Sequence, residues 1–415
     1  MKIIKAEPGS FAFLLYLVFI IYVVFSAVSL YQGTAKIDEH RNHLPILQGM
    51  HEEGYFNYIL SDDYKAANTP LPYFLPYAVF KVFSISPNLS IPRIINFIIS
   101  FLTVLVFISI YKNISGKLDY RIFIFVFYPY LIKTSYVFYL AIYGLFFLLL
   151  GILFLSKEEN KTIFFAGISS ACGILSQQFI AAFPIGYLVN RFRNKNFYKK
   201  KELTRIFLFI VPLFIPIILF VLWGGLTHPN WQFHNPSFDI THLTATFTII
   251  GGVFLPFFID RLKEIKIKYL LFVLPAAIVL TYFFSPIWAE YGEYGQVTGY
   301  TYNFLTKVGS ISKQLAFVVN VILCSAGIYI FILLWQSNLK DIEFTILSIA
   351  SVFMFVYFFN NVFSERHLLP MIALLFLLTL PRVQNKWLLN FWIGFQVLFG
   401  IVYYYYWLFI HPSFG

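Results

Sequence analysis

The sequence predicts an all-α, polytopic membrane protein of about 13 transmembrane helices, within a range of about 11 to 14, and three observations predict it. Hydrophobic residues make up 59% of the chain, charged residues 12%, and the mean hydropathy is +0.75; a soluble domain carries about 45–50% and about 25%. Apolar runs long enough to cross about 30 Å of hydrocarbon recur from one end to the other. Lys and Arg gather in alternate connecting segments, as the positive-inside rule demands. No polar stretch exceeds about 40 residues, too short for an independent core, so 1–415 reads as a single integral membrane domain. The net charge of +11 then reports topology, not nucleic-acid binding. Cys172 and Cys324 both lie in apolar runs and suggest neither a disulfide nor a zinc site.

Residues 11–31 form the first span, too long and too poorly followed by small residues for a cleaved signal peptide. Residues 32–91 form the first extracytoplasmic loop, with interfacial or re-entrant helices; Pro70–Val82 is apolar, but counting it as a span would invert every later loop. Spans follow at 92–111, 122–135, 137–156, 163–176, 178–190, 206–224, 241–259, 269–287, 315–335, 342–359, 368–381 and 387–408. The intervals 122–135 and 163–176 are short for a full crossing and suit broken or tilted helices facing protein. Basic loops, densest from Arg191 to Arg205, face the cytoplasm together with the N-terminus. All eight histidines, His40, His43, His51, His228, His234, His242, His367 and His411, fall on the opposite side or at helix ends there. One face therefore reads as electrostatic anchoring and the other as a site.

Asp38-Glu39-His40 opens that loop. Asp38 suits a helix N-cap, and equally a general base that takes a proton from an acceptor hydroxyl, its proton affinity raised in low-dielectric surroundings. Glu39 and His40 would orient it, bind substrate hydroxyls or hold a cation; the three-residue spacing of His40 and His43 leaves a divalent cation open, without a fourth ligand. Asp62, Asp63 and Lys65 precede a Pro-started helix and form either a polar turn or a substrate contact. Gln177-Gln178 are paired amides in apolar surroundings, where helix–helix hydrogen bonding competes with binding of a lipid-linked phosphate or sugar. His228, His234 and His242, with Asp239, exceed what an interfacial aromatic belt around Trp223 and Trp231 explains, and suit a carbohydrate- or pyrophosphate-contacting loop. Arg366 beside His367 either snorkels to headgroups or presents its guanidinium fork to phosphate; Arg93 and Lys307 are lesser candidates of that kind.

The order of these pieces resembles the GT-C superfamily of polyprenyl-phosphate-sugar-dependent glycosyltransferases. The resemblance rests on the first span, the Asp-Glu opening, TPLPYFLPYAVFKVF, SIPRIINFIIS, ACGILSQQFIAAF, GGLTHPNWQFHNPSFDITH and the late RHLLP. Within the superfamily the chain looks most like the endoplasmic-reticulum terminal alpha-1,2-glucosyltransferase of dolichol-linked oligosaccharide synthesis, and is more loosely similar to protein mannosyltransferases and lipid A aminoarabinose transferases. It departs from the first of these where Ser176 replaces an Arg before Gln177, and where Val297-Thr298-Gly299-Tyr300 meets an asparagine-arginine-histidine-tyrosine stretch. The resemblance implies a sugar delivered on a polyprenyl phosphate to a lipid-linked, glycan or protein acceptor. Asp38 would activate the acceptor, and Arg366 with His367 or Lys307 would stabilise the departing phosphate, with inversion. A transporter or flippase is the rival class, expected to carry mid-membrane ionisable groups and repeated halves; a non-catalytic subunit of a membrane assembly is a third. The expected setting is a prokaryotic plasma membrane, with the endoplasmic reticulum as the alternative.

Overall fold

In hydrocarbon a backbone satisfies its polar groups by closing them within helices, and helices are the whole of the regular structure among the described residues. The structure, a computed structural model, describes residues 8–32, 39–64, 66, 69–157, 159–193, 197–230, 239–284, 299–358, 365–406 and 409. The chain divides into two compact units, Met1–Pro184 with Lys195–Gln232 and Ile393–Gly415, and Ile185–Asn194 with Phe233–Trp392.

The helices run in order α1 Pro8–Gln32, α2 Leu44–Glu53, α3 Tyr55–Leu60, α4 Leu71–Phe83, α5 Ser90–Ser115, α6 Phe123–Val126, α7 Pro129–Tyr136, α8 Ala141–Leu155, α9 Asn160–Ile174, α10 Ala182–Arg193, α11 Lys200–Ile210 and α12 Phe214–Trp223. They continue with α13 Thr241–Val253, α14 Leu255–Asp260, α15 Ile267–Phe283, α16 Tyr300–Ile311, α17 Lys313–Gln336, α18 Asp341–Tyr357, α19 Leu369–Thr379 and α20 Lys386–Tyr405. Among the described residues, four stretches are long and apolar enough to cross a membrane: Ser90–Ser115, Lys200–Trp223, Lys313–Gln336 and Lys386–Tyr405. The α7 and α8 pair, bent by 114°, passes the same test when taken together. The apolar interval 70–82 forms α4, a 13-residue helix.

The interval 122–135 is broken, in line with its short length, and the interval after it starts later than the sequence reading placed it. Tyr128, which precedes Pro129, takes an extended conformation, as the steric demand of a following proline favours; Pro129 then starts α7. Helix does not begin at 137, because Val137 is extended and α8 starts only at Ala141. The whole stretch 122–156 carries one charged residue, Lys133, so composition does not mark the break at 137–140.

Within the first unit, the four residues between α7 and α8 would leave backbone groups stranded, and α5 supplies the partner. Fully buried Asn96 donates through Nδ2 to Thr134 O at 3.3 Å, Val137 O at 2.9 Å and Tyr139 O at 3.0 Å. The last carbonyls of α9, unsatisfied within their own helix, are taken by the segment entering α4: Thr69 Oγ1 donates to Ile174 O at 2.9 Å and Leu71 N to Leu175 O at 3.0 Å. In the second unit, α13 and α17 pack backbone to backbone. A Cβ on Gly251 would collide with Leu323 O, and one on Gly327 with Phe247 O. Thr248 Oγ1 donates to Asn320 Oδ1 at 2.7 Å across the same seam. Small residues and one interhelical hydrogen bond are the means by which helices associate where hydrocarbon supplies no hydrophobic drive.

Candidate functional site

The first unit gathers its polar chemistry around the break between α7 and α8. Asp38 and Lys65 lie outside the described residues, as does His234. Glu39 begins a π-helical turn over Glu39–His43, a geometry frequent at functional positions. Its side chain is fully buried, and α5 meets it: Arg93 Nε donates to Oε1 at 3.0 Å and Nη2 to Oε2 at 2.5 Å. Phe138 N, in the break, donates to the same Oε1 at 2.7 Å. A buried ion pair is weak evidence for net stability, because desolvation offsets the attraction. What it does supply is position, since two parallel guanidinium bonds fix a carboxylate's plane. Arg93, a phosphate candidate in the sequence, is thus engaged by Glu39.

His40 is exposed whereas His43 is buried. The His43 Nδ1 stands 2.8 Å from Tyr73 Oη, and both rings pack edgewise on Phe138, at 5.4 and 5.8 Å. Among the described residues, no group of three or more His, Cys, Asp or Glu is arranged to hold a metal ion.

A second cluster of the same unit lies where the chain leaves α12. Tyr64 stacks on Trp223 at 5.7 Å, and His228 meets both rings edge-on at 5.6 Å. Trp223 Nε1 donates to Ile59 O at 3.0 Å. Asp62, exposed, accepts from Asn230 Nδ2 at 3.1 Å, and its carbonyl accepts from the same group at 2.7 Å. Asp63 is exposed, and its carbonyl accepts from Tyr58 Oη at 3.1 Å. Burial lowers the His228 pKa below its ordinary value of 6.5, with the Asp62 charge opposing that shift, so the ring is neutral at pH 7. Gln178 Nε2 donates to Leu226 O at 3.3 Å, tying this loop to the end of α9. Gln177 is buried, and its Oε1 has no hydrogen-bond partner among the described residues.

The remaining sequence candidates belong to the second unit. Glu365 is fully buried and accepts from Thr301 N at 2.9 Å. Gly299, at φ +152°, leaves room for its carboxylate, because a Cβ there would overlap Glu365. His242 is buried, with Nδ1 3.1 Å from Tyr357 O and Nε2 3.8 Å from Asp239. Tyr357 Oη donates to His367 O at 2.5 Å. Arg366 and His367 are half-buried and Lys307 is exposed.

The structure therefore joins Glu39 with Arg93, and Asp62 with the loop of His228. The sequence reading quoted Asn96, Tyr73 and Asn230 within its motifs without naming them as site residues, and it missed Lys133, whose signal is that it is the one charge in 122–156. It is 5% exposed, with its ammonium 5.4 Å from the centre of the Tyr139 ring.

No protein-family model matches the chain, and no curated protein matches it. Among solved structures the chain is similar to ArnT from Cupriavidus metallidurans in the apo state and to the same protein bound to undecaprenyl phosphate. Both show 11% sequence identity and a TM-score of 0.43, over 94% of this chain and 78% of that one. At that score the likeness carries no weight about chemistry.

Proposed function

We propose that the protein is a membrane glycosyltransferase of the GT-C type, moving a sugar from a polyprenyl-phosphate donor to a lipid-linked, glycan or protein acceptor, with Asp38 as general base. The observation that carries the reading is the fixing of Glu39. The residue next to Asp38 in sequence is fully buried and held by three hydrogen bonds from Arg93 and Phe138. A base must sit within about 3 Å of the proton it removes, and its sequence neighbour Glu39 is held by those bonds. The motif order in the sequence supports the donor class.

In the proposed reaction, Asp38 takes the proton of the acceptor hydroxyl as its oxygen attacks the anomeric carbon. The bond from that carbon to the donor's phosphate oxygen breaks, and the polyprenyl phosphate departs with the electron pair. Charge develops as in other glycosyl transfers, with oxocarbenium character, and attack opposite the leaving group inverts the centre. We read the protein as a multi-pass plasma-membrane enzyme of about 13 spans with a cytoplasmic N-terminus.

The test is a panel of polyprenyl-phosphate sugars presented to the purified protein. Donor-dependent product, with release of the polyprenyl phosphate, is expected. Uptake or lipid scrambling by reconstituted protein, without any glycosylated product, would transfer the assignment to the rival transporter class.

A further inference from the structure

In the second unit one exposed cation is held by a ring rather than by an acid. Arg193, in the last turn of α10, is exposed, and its guanidinium carbon lies 3.9 Å from the centre of the Phe344 ring on α18, inside the roughly 6 Å reach of cation–π attraction. The acids beside it are engaged elsewhere. Asp341 stands 3.7 Å from Arg191 Nη1 and accepts from Asn190 Nδ2 at 3.1 Å, while Glu343 accepts from Arg382 Nη2 at 2.8 Å. Neither Arg193 nor Lys340 makes an ion pair among the described residues. A guanidinium lying on a ring keeps its N–H groups in its own plane, directed past the ring edge. They face outward for a forked acceptor such as phosphate.

The level of this corner in the bilayer is set by α17. That helix is one of the membrane-length stretches, Lys313–Gln336, and Trp335 in its last turn is 45% exposed. Trp335 meets Phe344 edge-on, with ring centres 5.1 Å apart, and its Nε1 donates to Ser351 Oγ at 3.3 Å. Trp gathers at the boundary between hydrocarbon and headgroups, so the guanidinium on Phe344 stands at headgroup level. Lys340 is exposed and lies one turn before Phe344, whose N donates to Lys340 O at 2.9 Å. Residues four apart are neighbours on one face. An exposed indole at the boundary, with two cations beside the ring it touches, matches a lipid whose head is negatively charged.

We infer that the corner formed by Arg193, Phe344 and Trp335 binds an anionic phospholipid of the surrounding bilayer, with Arg193 and Lys340 on its headgroup phosphate and Trp335 against its glycerol and upper acyl carbons. The inference is independent of the transfer reaction proposed above.

The test reconstitutes the purified full chain in phosphatidylcholine bilayers that contain a minor share of brominated phosphatidylglycerol or of brominated phosphatidylcholine, and records tryptophan fluorescence. Each protein is compared with its Trp335→Phe counterpart, so that the difference isolates quenching at Trp335. Wild type is expected to prefer phosphatidylglycerol about tenfold, and Arg193→Met to lower that preference about fivefold, the attraction of one cation at an anionic surface. Lys313→Met removes the same charge from an exposed position at the other end of the 24-residue α17, about 36 Å away, and should leave the preference as in wild type. Equal quenching by the two lipids in wild type would overturn the proposal, as would a wild-type preference in a folded Arg193→Met protein. An equal fall in Lys313→Met would assign the effect to net charge and overturn the site. If Arg193→Met does not fold, Lys340→Met decides: a fall of about fivefold is expected, and an unchanged preference overturns the site.

Discussion

Arg93→Met tests the anchoring of the candidate base most sharply. Glu39 is fully buried and Arg93 is 6% exposed, so neither charge reaches bulk water once its partner is gone. The substitution deletes both guanidinium bonds, at 3.0 and 2.5 Å, and leaves the carboxylate its 2.7 Å bond from Phe138 N. Breaking one side of such a pair costs about 3–5 kcal/mol. Glu39→Gln takes the carboxylate charge from the guanidinium and carries a similar cost of about 3–5 kcal/mol. Removing both charges together, as Arg93→Met with Glu39→Met, leaves mainly the Phe138 N–H without its acceptor, at about 1–3 kcal/mol. The double variant should therefore be more stable than either single one, with a coupling of about 3 kcal/mol or more. Titration with sodium dodecyl sulfate in mixed micelles reads the unfolding free energy of all four proteins. Single-variant losses that add within about 0.5 kcal/mol would refute the pairing.

Two further outcomes follow from contacts in the structure. Gly144→Ala puts a Cβ 2.8 Å from Gln177 Oε1 and 3.2 Å from Ile180 Cγ1, and overpacking of this kind should lower stability by about 1–3 kcal/mol in the same titration; wild-type stability would show that Gln177 is not held there. His228 has a folded-state pKa below 6.5, so the folded protein binds that proton more weakly than the unfolded chain does. Its contribution to stability is full above about pH 6.5 and is lost as the pH falls below it. Melting temperatures between pH 7.5 and 5.5 should drop less in His228→Phe than in wild type; equal drops would exclude the ring as the titrating group.

Helix positions were legible in the sequence because apolar run length and proline placement decide them: α5, α17 and α20 lie where hydrocarbon-length segments are written. The break after Tyr136 was not, since Val137 to Leu140 are apolar and nothing local marks them as unwound. Its cause lies some 40 residues earlier, in Asn96 taking three carbonyls of the α7 end and the break. Pairings across long separations escaped for the same reason. Glu39 and Arg93 were each visible as charges near an apolar boundary, but spacing along the chain says nothing about which charge meets which. His228 illustrates the opposite limit: the sequence marked its loop by composition, while its neutral form follows from burial under Tyr64 and Trp223, which only the fold supplies.

The central claim is that Asp38 is the base of a sugar transfer, and one measurement addresses it most directly. Purified wild type and Asp38→Asn are compared for turnover of a polyprenyl-phosphate sugar into product, with donor affinity and melting temperature recorded for both. The account predicts an Asp38→Asn protein that melts and binds donor as wild type does and transfers about 10²- to 10⁴-fold more slowly, the range a general base supplies. Near-normal turnover by a folded Asp38→Asn protein would contradict it.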